Sequence, residues 1–449
     1  MKAPDSATLF AYNVGFGDCL LLRFDYEDGA QKHMLVDFGT AAVPDAVKGA
    51  GAKAHMLSIA KDINEKCGGK TGKPGKLDIL VATHRHKDHI SGFATNKKKT
   101  ASGDVIASLG PDYVLMPWTE DPDVAAGAKG PLEGATAFAA ALKTGEGFAA
   151  MLASFAGDQM KIADAEMRLS AEDISFLKFL GDNNVANKSA VANLLSMGKA
   201  GREKKAFYLH ADLDRDGKKH FENEKKSIEQ TLPGVKLHIL GPPTVTQSPN
   251  VEKEAANVKD QYWMRANEGE VRNLNSSEPL FPGFDYAKIP PHARWMKKKL
   301  LGLEKDMLFS LTVALDSAMN NTSLILLLEI GDKILLFPGD AQWENWEYAL
   351  SVDAYVKKLK SVDVYKVGHH GSRNATPKKL WNMMDQKSKA ADKKNRLVSV
   401  LSTKKDVFGK SADTLVPQAK LVAELEALSH LHSTETTPSA ELCKVIKLF

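Results

Sequence analysis

The sequence predicts an α/β fold in which two β-sheets pack together with helices outside them, an αββα sandwich carrying a long insertion of mixed character. Three observations lead there. Strand–helix–strand order recurs near both ends of the chain, which argues for sheets joined by crossover helices. The strands come in dense blocks rather than singly. The chain has 449 residues and 43% apolar side chains, enough for a large buried core and too apolar for wholesale disorder.

In order, Thr8–Phe24 reads as two strands across the glycine turn Gly15-Phe16-Gly17-Asp18. Lys32–Asp37 is a third strand. Ala54–Cys67 sets Met56, Ile59, Ile63 and Cys67 at helical spacing and stops at Gly68-Gly69. Leu77–Thr83 is a short buried strand that runs straight into His84. Beyond it the character changes. Alanine-rich stretches at Gly134–Leu142, Phe148–Phe155 and Ala190–Leu195 read as helices, and Ala206–His210 and Val235–Leu240 as strands. Strands return at Ser323–Ile330 and Lys333–Phe337, a hairpin across Gly331-Asp332. A helix over Trp343–Leu359, a strand over Val362–Val367, a last strand over Leu397–Ser402 and a helix over Ala419–Leu428 complete the reading. The expected organisation is one domain, 1–449, with its core at about 1–96 and 317–449 and an inserted region at about 97–316 that lines or covers a cleft.

A net charge of +4 spread over this length implies no global field for polyanions. Short lysine runs at Lys97–Lys99, Lys204-Lys205 and Lys297–Lys299 read as solvated faces. No apolar run approaches the ~18 residues of a membrane span. The first residues show no apolar segment of signal type, and three scattered cysteines make no disulfide framework, so a cytoplasmic location without membrane partners is expected. Nothing in the chain fixes an oligomeric state.

The string His84-Arg85-His86-Lys87-Asp88-His89 carries the chemistry. It follows a buried strand, so the backbone is rigid up to the point where the side chains begin. In extended geometry His84 and His86 project to one side and can share an ion, while Asp88 and His89 reach a second ion beside it. Imidazole with carboxylate suits zinc, manganese or iron, with zinc the first expectation and manganese the alternative. Two ions ~3.5–4 Å apart need an anionic ligand between them. Asp340, ending a strand at Phe337-Pro338-Gly339-Asp340, is the candidate. His369-His370-Gly371-Ser372 opens another strand end, with His370 the expected ligand and His369 the substrate contact. Asp212-Leu213-Asp214-Arg215-Asp216-Gly217 resembles part of a calcium loop but lacks its terminal glutamate and reads as a turn.

This HxHxDH string after a strand, with the later Gly-Asp and strand-end histidine, resembles the metallo-β-lactamase superfamily. Gly15-Phe-Gly-Asp-Cys19 and Val36-Asp37-Phe-Gly39 are similar to its opening strands. Asn320-Asn321-Thr-Ser323, Phe337-Pro-Gly-Asp340 and Lys366-Val-Gly-His-His-Gly-Ser372 are similar to the soluble hydrolase domain of bacterial DNA-uptake competence proteins. The resemblance covers roughly residues 8–96 and 317–405 and implies the four-layer metallo-β-lactamase fold. It departs in one place. Many superfamily members carry a histidine shortly before the Gly-Asp hairpin, where this chain reads Ser317-Ala-Met-Asn-Asn-Thr-Ser323, leaving the ion at His84 and His86 with a weaker ligand set. His210 and His238 are outside candidates, read more simply as strand histidines.

These residues lead to a dinuclear metal-dependent hydrolase using a metal-bridging hydroxide on an anionic phosphodiester, DNA or RNA included. The expected metal ligands are His84, His86, Asp88, His89, Asp340 and His370. Asp88 also orients the hydroxide, His369 acts with it, and Asn320, Asn321, Ser372 and Lys366 contact the substrate. Two other readings stand beside it: hydrolysis of a carboxylic ester, lactone or thioester, and a metal-stabilised binding module or effector partner.

Overall fold

The computed structural model describes residues 2–49, 51–121, 188–198, 206–244, 246–248, 319–374, 376–407 and 415–449. The helices expected at Gly134–Leu142 and Phe148–Phe155 and the lysine runs at 204–205 and 297–299 lie outside them. The fold is α/β, with two mixed sheets. Strands β1 (Ser6–Tyr12), β2 (Cys19–Asp25), β3 (Gln31–Phe38), β4 (Ile79–Val81), β5 (Tyr113–Pro117) and β6 (Ala206–Leu209) form the first sheet. Strands β7 (Val235–Gly241), β8 (Ile325–Ile330), β9 (Lys333–Phe337), β10 (Val364–Lys366), β11 (Val398–Leu401) and β12 (His430–Ser433) form the second, and β13 (Cys443–Lys447) returns to pair with β1. β3 to β6 run parallel, as do β9 to β12, and the other pairs are antiparallel.

Period-2 alternation explains the layering. In β2, Leu20, Leu22 and Phe24 enter a core shared with the second sheet, while Cys19 and Leu21 enter one lined by α1 (Gly51–Lys66) and α3 (Ser102–Ser108). In β8, Leu326, Leu328 and Ile330 meet that same shared core, and Ile325 and Leu327 face α6 (Trp343–Ala349) and α7 (Asp353–Lys360). Both strands read as continuous apolar runs because both of their faces are buried. The remaining helices are α2 (Lys87–Ile90), α4 (Lys188–Met197), α5 (Glu222–Thr231), α8 (Lys378–Met383) and α9 (Ala419–Leu428).

The structure departs from the sequence reading at three points. Residues 97–316 do not stand apart as an insertion where they are described: β5 and β6 extend the first sheet in register with β4, and β7 pairs with β8. The helix read over Trp343–Leu359 is two, α6 and α7, because β-branched Val352 sits in extended backbone (φ −100°, ψ 110°) between them. Leu397–Ser402 is not the last strand, since β12 and β13 follow. No helix of the described residues is long and apolar enough to cross a membrane.

Two histidines of this frame set a pH dependence. Burial holds His210 and His238 at about 4, the latter helped by the Lys358 charge. Between about pH 4 and 6.5 the unfolded chain therefore binds protons that the folded chain refuses, and stability falls as pH drops through that interval. Each contributes on the order of 1–3 kcal/mol. Urea unfolding at stepped pH is expected to show this slope, and His210→Gln to flatten it; an unchanged slope in the variant excludes His210 as a source.

Candidate metal centre

The parallel strands of both sheets deliver their C-terminal ends to one edge, where ligands gather in open α/β sheets. His84 to His89 follow β4, Asp340 follows β9, and His369 and His370 follow β10. Hydrogen bonds lock the sheets together here: Leu324 N donates to Thr83 O at 2.9 Å, and Ser402 Oγ to Gly17 O at 2.6 Å. Close approach demands glycine at Gly39, where a Cβ would lie 2.4 Å from the Asp88 carbonyl carbon and His89 nitrogen. Gly339 turns the chain into Asp340 with φ +55°.

Asp88, His89, Asp340 and His370 each offer a ligand atom, all within 4.8 Å of one another and all buried. His370 Nε2 lies 3.0 Å from Asp88 Oδ2 and 3.5 Å from Asp340 Oδ2, and His89 Nε2 lies 3.1 Å from Asp340 Oδ2. The His84 ring sits 4.1 Å from that of His89 and 4.7 Å from that of His86. The six residues expected as ligands thus share one buried cluster, with His84 and His86 at its flank and outside the four-residue group. His210 and His238 belong elsewhere: His210 Nδ1 donates to Ala211 O, and His238 faces Glu329 at 3.2 Å.

The imidazoles are oriented through their other nitrogen. Thr83 gives its backbone N–H and its hydroxyl proton to Asp37, both at 2.7 Å. Its hydroxyl oxygen is then left to accept from His84 Nδ1 at 3.2 Å. Asp37 also accepts from His89 Nδ1 at 2.8 Å, and the Ser402 carbonyl from His370 Nδ1 at 3.0 Å. All three rings therefore carry a proton on Nδ1 and turn Nε2 toward the cluster, the arrangement by which outer partners fix metal-binding histidines. Asp37, His369 and His370 hold φ of 57°, 43° and 51°, strained backbone concentrated at the site.

Charge is dense. Burial raises the Asp37 carboxyl, whereas the His370 hydrogen bond and the His89 charge overcome burial to hold Asp88 at about 2. Burial is likewise overcome at Asp340, held well below the carboxylate range by His89 and His370, and at His89, raised well above by Asp340 and Asp37. Burial and the charges of His89 and His86 push His84 well below the imidazole range.

Lys366, expected to contact substrate, is 1% exposed; its ammonium pairs with Asp18 and lies 3.7 Å from Asp340 Oδ1. The Asn321 amide is committed to the turn before α6, donating to Glu344 at 2.6 Å and accepting from Gln342 N at 3.2 Å. Asn320 is buried in the same turn, its carbonyl accepting from Ser323 N. Ser372 Oγ meets His369 Nδ1 at 3.0 Å, and His369 is the partly exposed member at the rim.

The sequence reading gave no role to Asp18, Asp37, Thr83 or Arg85. Asp18 follows Gly17 as Asp340 follows Gly339, a shared signal by which it could have been found, whereas Asp37 lies inside β3, two residues before Gly39. Arg85 grips Glu120 after β5 through Nε at 2.8 and 2.9 Å, bracing the loop. Asp18, Asp37 and His89 form a second ligand-like trio, but the Lys366 ammonium and Thr83 already engage its carboxylates. No protein-family model matches the chain, and a search of curated proteins finds no match.

Proposed function

We propose that the protein is a metal-dependent hydrolase of phosphodiesters, built as a metallo-β-lactamase-like αββα sandwich whose cluster takes two divalent cations, zinc or manganese. The observation that carries this is the convergence of Asp88, His89, Asp340 and His370 from three distant stretches of chain. The residues fit such ions. His84 Nε2 and Asp88 Oδ1 are buried with no hydrogen-bond partner among the described residues, open to an ion or an ordered water. The donor set of imidazoles and carboxylates matches zinc and manganese chemistry. Bound there, the ions supply Lewis acidity and an activated water for hydrolysis.

The chain's own residues do the rest. Asp37 and the Ser402 carbonyl hold His89 and His370 in the tautomer that presents Nε2. Asp340 holds its carboxylate between them. His369, at the rim and steadied by Ser372, is placed to contact the phosphoryl group and to carry a proton. The test is metal analysis of the purified protein with hydrolysis of bis-p-nitrophenyl phosphate and of carboxylic esters. Bound zinc or manganese with phosphodiester turnover supports the reading. Turnover of carboxylic esters alone, or inertness toward every ester with metal loaded, overturns it.

A further inference from the structure

We propose that the outer helical layer of the second sheet is a docking surface for a nucleic-acid strand, held by its phosphates; this extends the phosphodiester reading above. Residues 357–396 carry twelve Lys or Arg against three Asp, an excess of nine positive charges in a chain whose total is +4. The rest of the molecule is therefore net negative, and the positive field is local. Two of the twelve are neutralised: Lys358 pairs with Glu329, and Lys366 is buried against Asp18. Among the described residues, Lys357, Lys360, Lys378, Lys389 and Lys394 have no carboxylate within ion-pairing distance.

These lysines come from three segments that fold into one face. Asp385 N donates to Lys360 O at 2.8 Å, tying the loop before β11 to the end of α7. The Lys387 ammonium lies 4.9 Å from the Trp381 ring centroid, tying the same loop to α8. Arg396 fastens the loop's far end through the Ser388 and Ala427 carbonyls at 2.8 and 3.0 Å. Arg373, on the loop that carries His369 and His370, is exposed as well.

The chemistry of the face selects its partner. A small anion engages one or two lysines, whereas a chain of phosphates neutralises a row of them and releases counterions with each. A lipid surface calls for apolar anchors beside the charges. The exposed large apolar residues among the described ones, Val445 and Phe449, lie on and after β13 of the other sheet. Trp381, the indole of this face, is 2% exposed and offers no stacking platform. Binding is therefore to the phosphate backbone, insensitive to sequence and steeply dependent on salt.

The test is fluorescence anisotropy of the full chain with a mixed-sequence single-stranded oligonucleotide in EDTA, against co-sedimentation with phosphatidylserine vesicles. The variant Lys389→Glu/Lys394→Glu reverses two exposed charges remote from the cluster. It is expected to weaken oligonucleotide binding about tenfold or more at ~0.1 M salt, and to lower the salt slope by about 1 per lysine. Hydrolysis of bis-p-nitrophenyl phosphate by the metal-loaded variant is expected to stay unchanged. Oligonucleotide binding that survives the double reversal overturns the proposal, as does binding to the vesicles with none to the oligonucleotide. Because binding is read without metal, an inert cluster and a failed surface give separate results.

Discussion

Asp340→Ala is expected to empty the protein of metal and to lower phosphodiester hydrolysis by about 10³-fold or more. Residues that merely orient metal ligands already cost 10–100-fold when lost, and a shared ligand exceeds that. Asp340 stands among three cationic or proton-binding groups: it lies 3.1 Å from His89 Nε2, 3.5 Å from His370 Nε2 and 3.7 Å from Lys366 Nζ. Without it, three cationic or proton-binding groups face one another across a gap. Asp37→Asn is the graded control, expected to fall in the 10–100-fold range because it disturbs the tautomer of His89 and leaves the ligands in place. Metal content by elemental analysis and kcat/KM on bis-p-nitrophenyl phosphate read both effects, with circular dichroism confirming the fold. An Asp340→Ala protein that keeps its metal and its rate defeats the dinuclear reading. Because ions must displace protons from His89 and His370, metal affinity is also expected to fall as pH is lowered.

The candidate cluster was legible because each stretch that contributes to it carries a local signal. His84, His86, Asp88 and His89 sit within six residues after a strand, and a strand end followed by Gly-Asp or His-His marks where a rigid backbone hands over to a loop. What supports them was hidden by distance along the chain. Asp37 acts on His89 and on His84 through Thr83, a relation set by the β3–β4 pairing and invisible in composition. Burial of Lys366 was not foreseen because an isolated lysine near a strand end is normally solvated. Only its neighbour Asp18, some 350 residues away in sequence, makes burial tolerable. The same limit explains β5, β6 and β7. Ala206–His210 and Val235–Leu240 were recognisable as strands, but a strand's periodicity does not name its sheet. β13 escaped for a related reason: Cys443-Lys-Val-Ile-Lys447 is too short and mixed to stand out until β1 supplies its partner.

Lys366→Met is expected to destabilise the metal-free protein by about 3–5 kcal/mol, the usual consequence of removing one member of a buried ion pair. Burial disfavours the ammonium, and Asp18 and Asp340 more than offset that, so its pKa is raised. The variant leaves Asp18, Asp37, Asp88 and Asp340 buried together with one cation fewer. That same surplus of negative charge should draw divalent ions more strongly, so the metal-loaded variant is expected to regain part of what the metal-free one loses. Thermal unfolding with and without zinc separates the two contributions. The metal-induced rise in midpoint is expected to be smaller in the wild type than in Lys366→Met, which starts from a lower base. The pair variant Asp18→Asn/Lys366→Met, which removes both charges, is expected to recover most of the metal-free stability, since a neutral pair of similar volume avoids the stranded carboxylate. If the single and the double variant unfold at the same temperature, the Asp18–Lys366 pair is not what compensates the buried charge, and the lysine acts through packing alone.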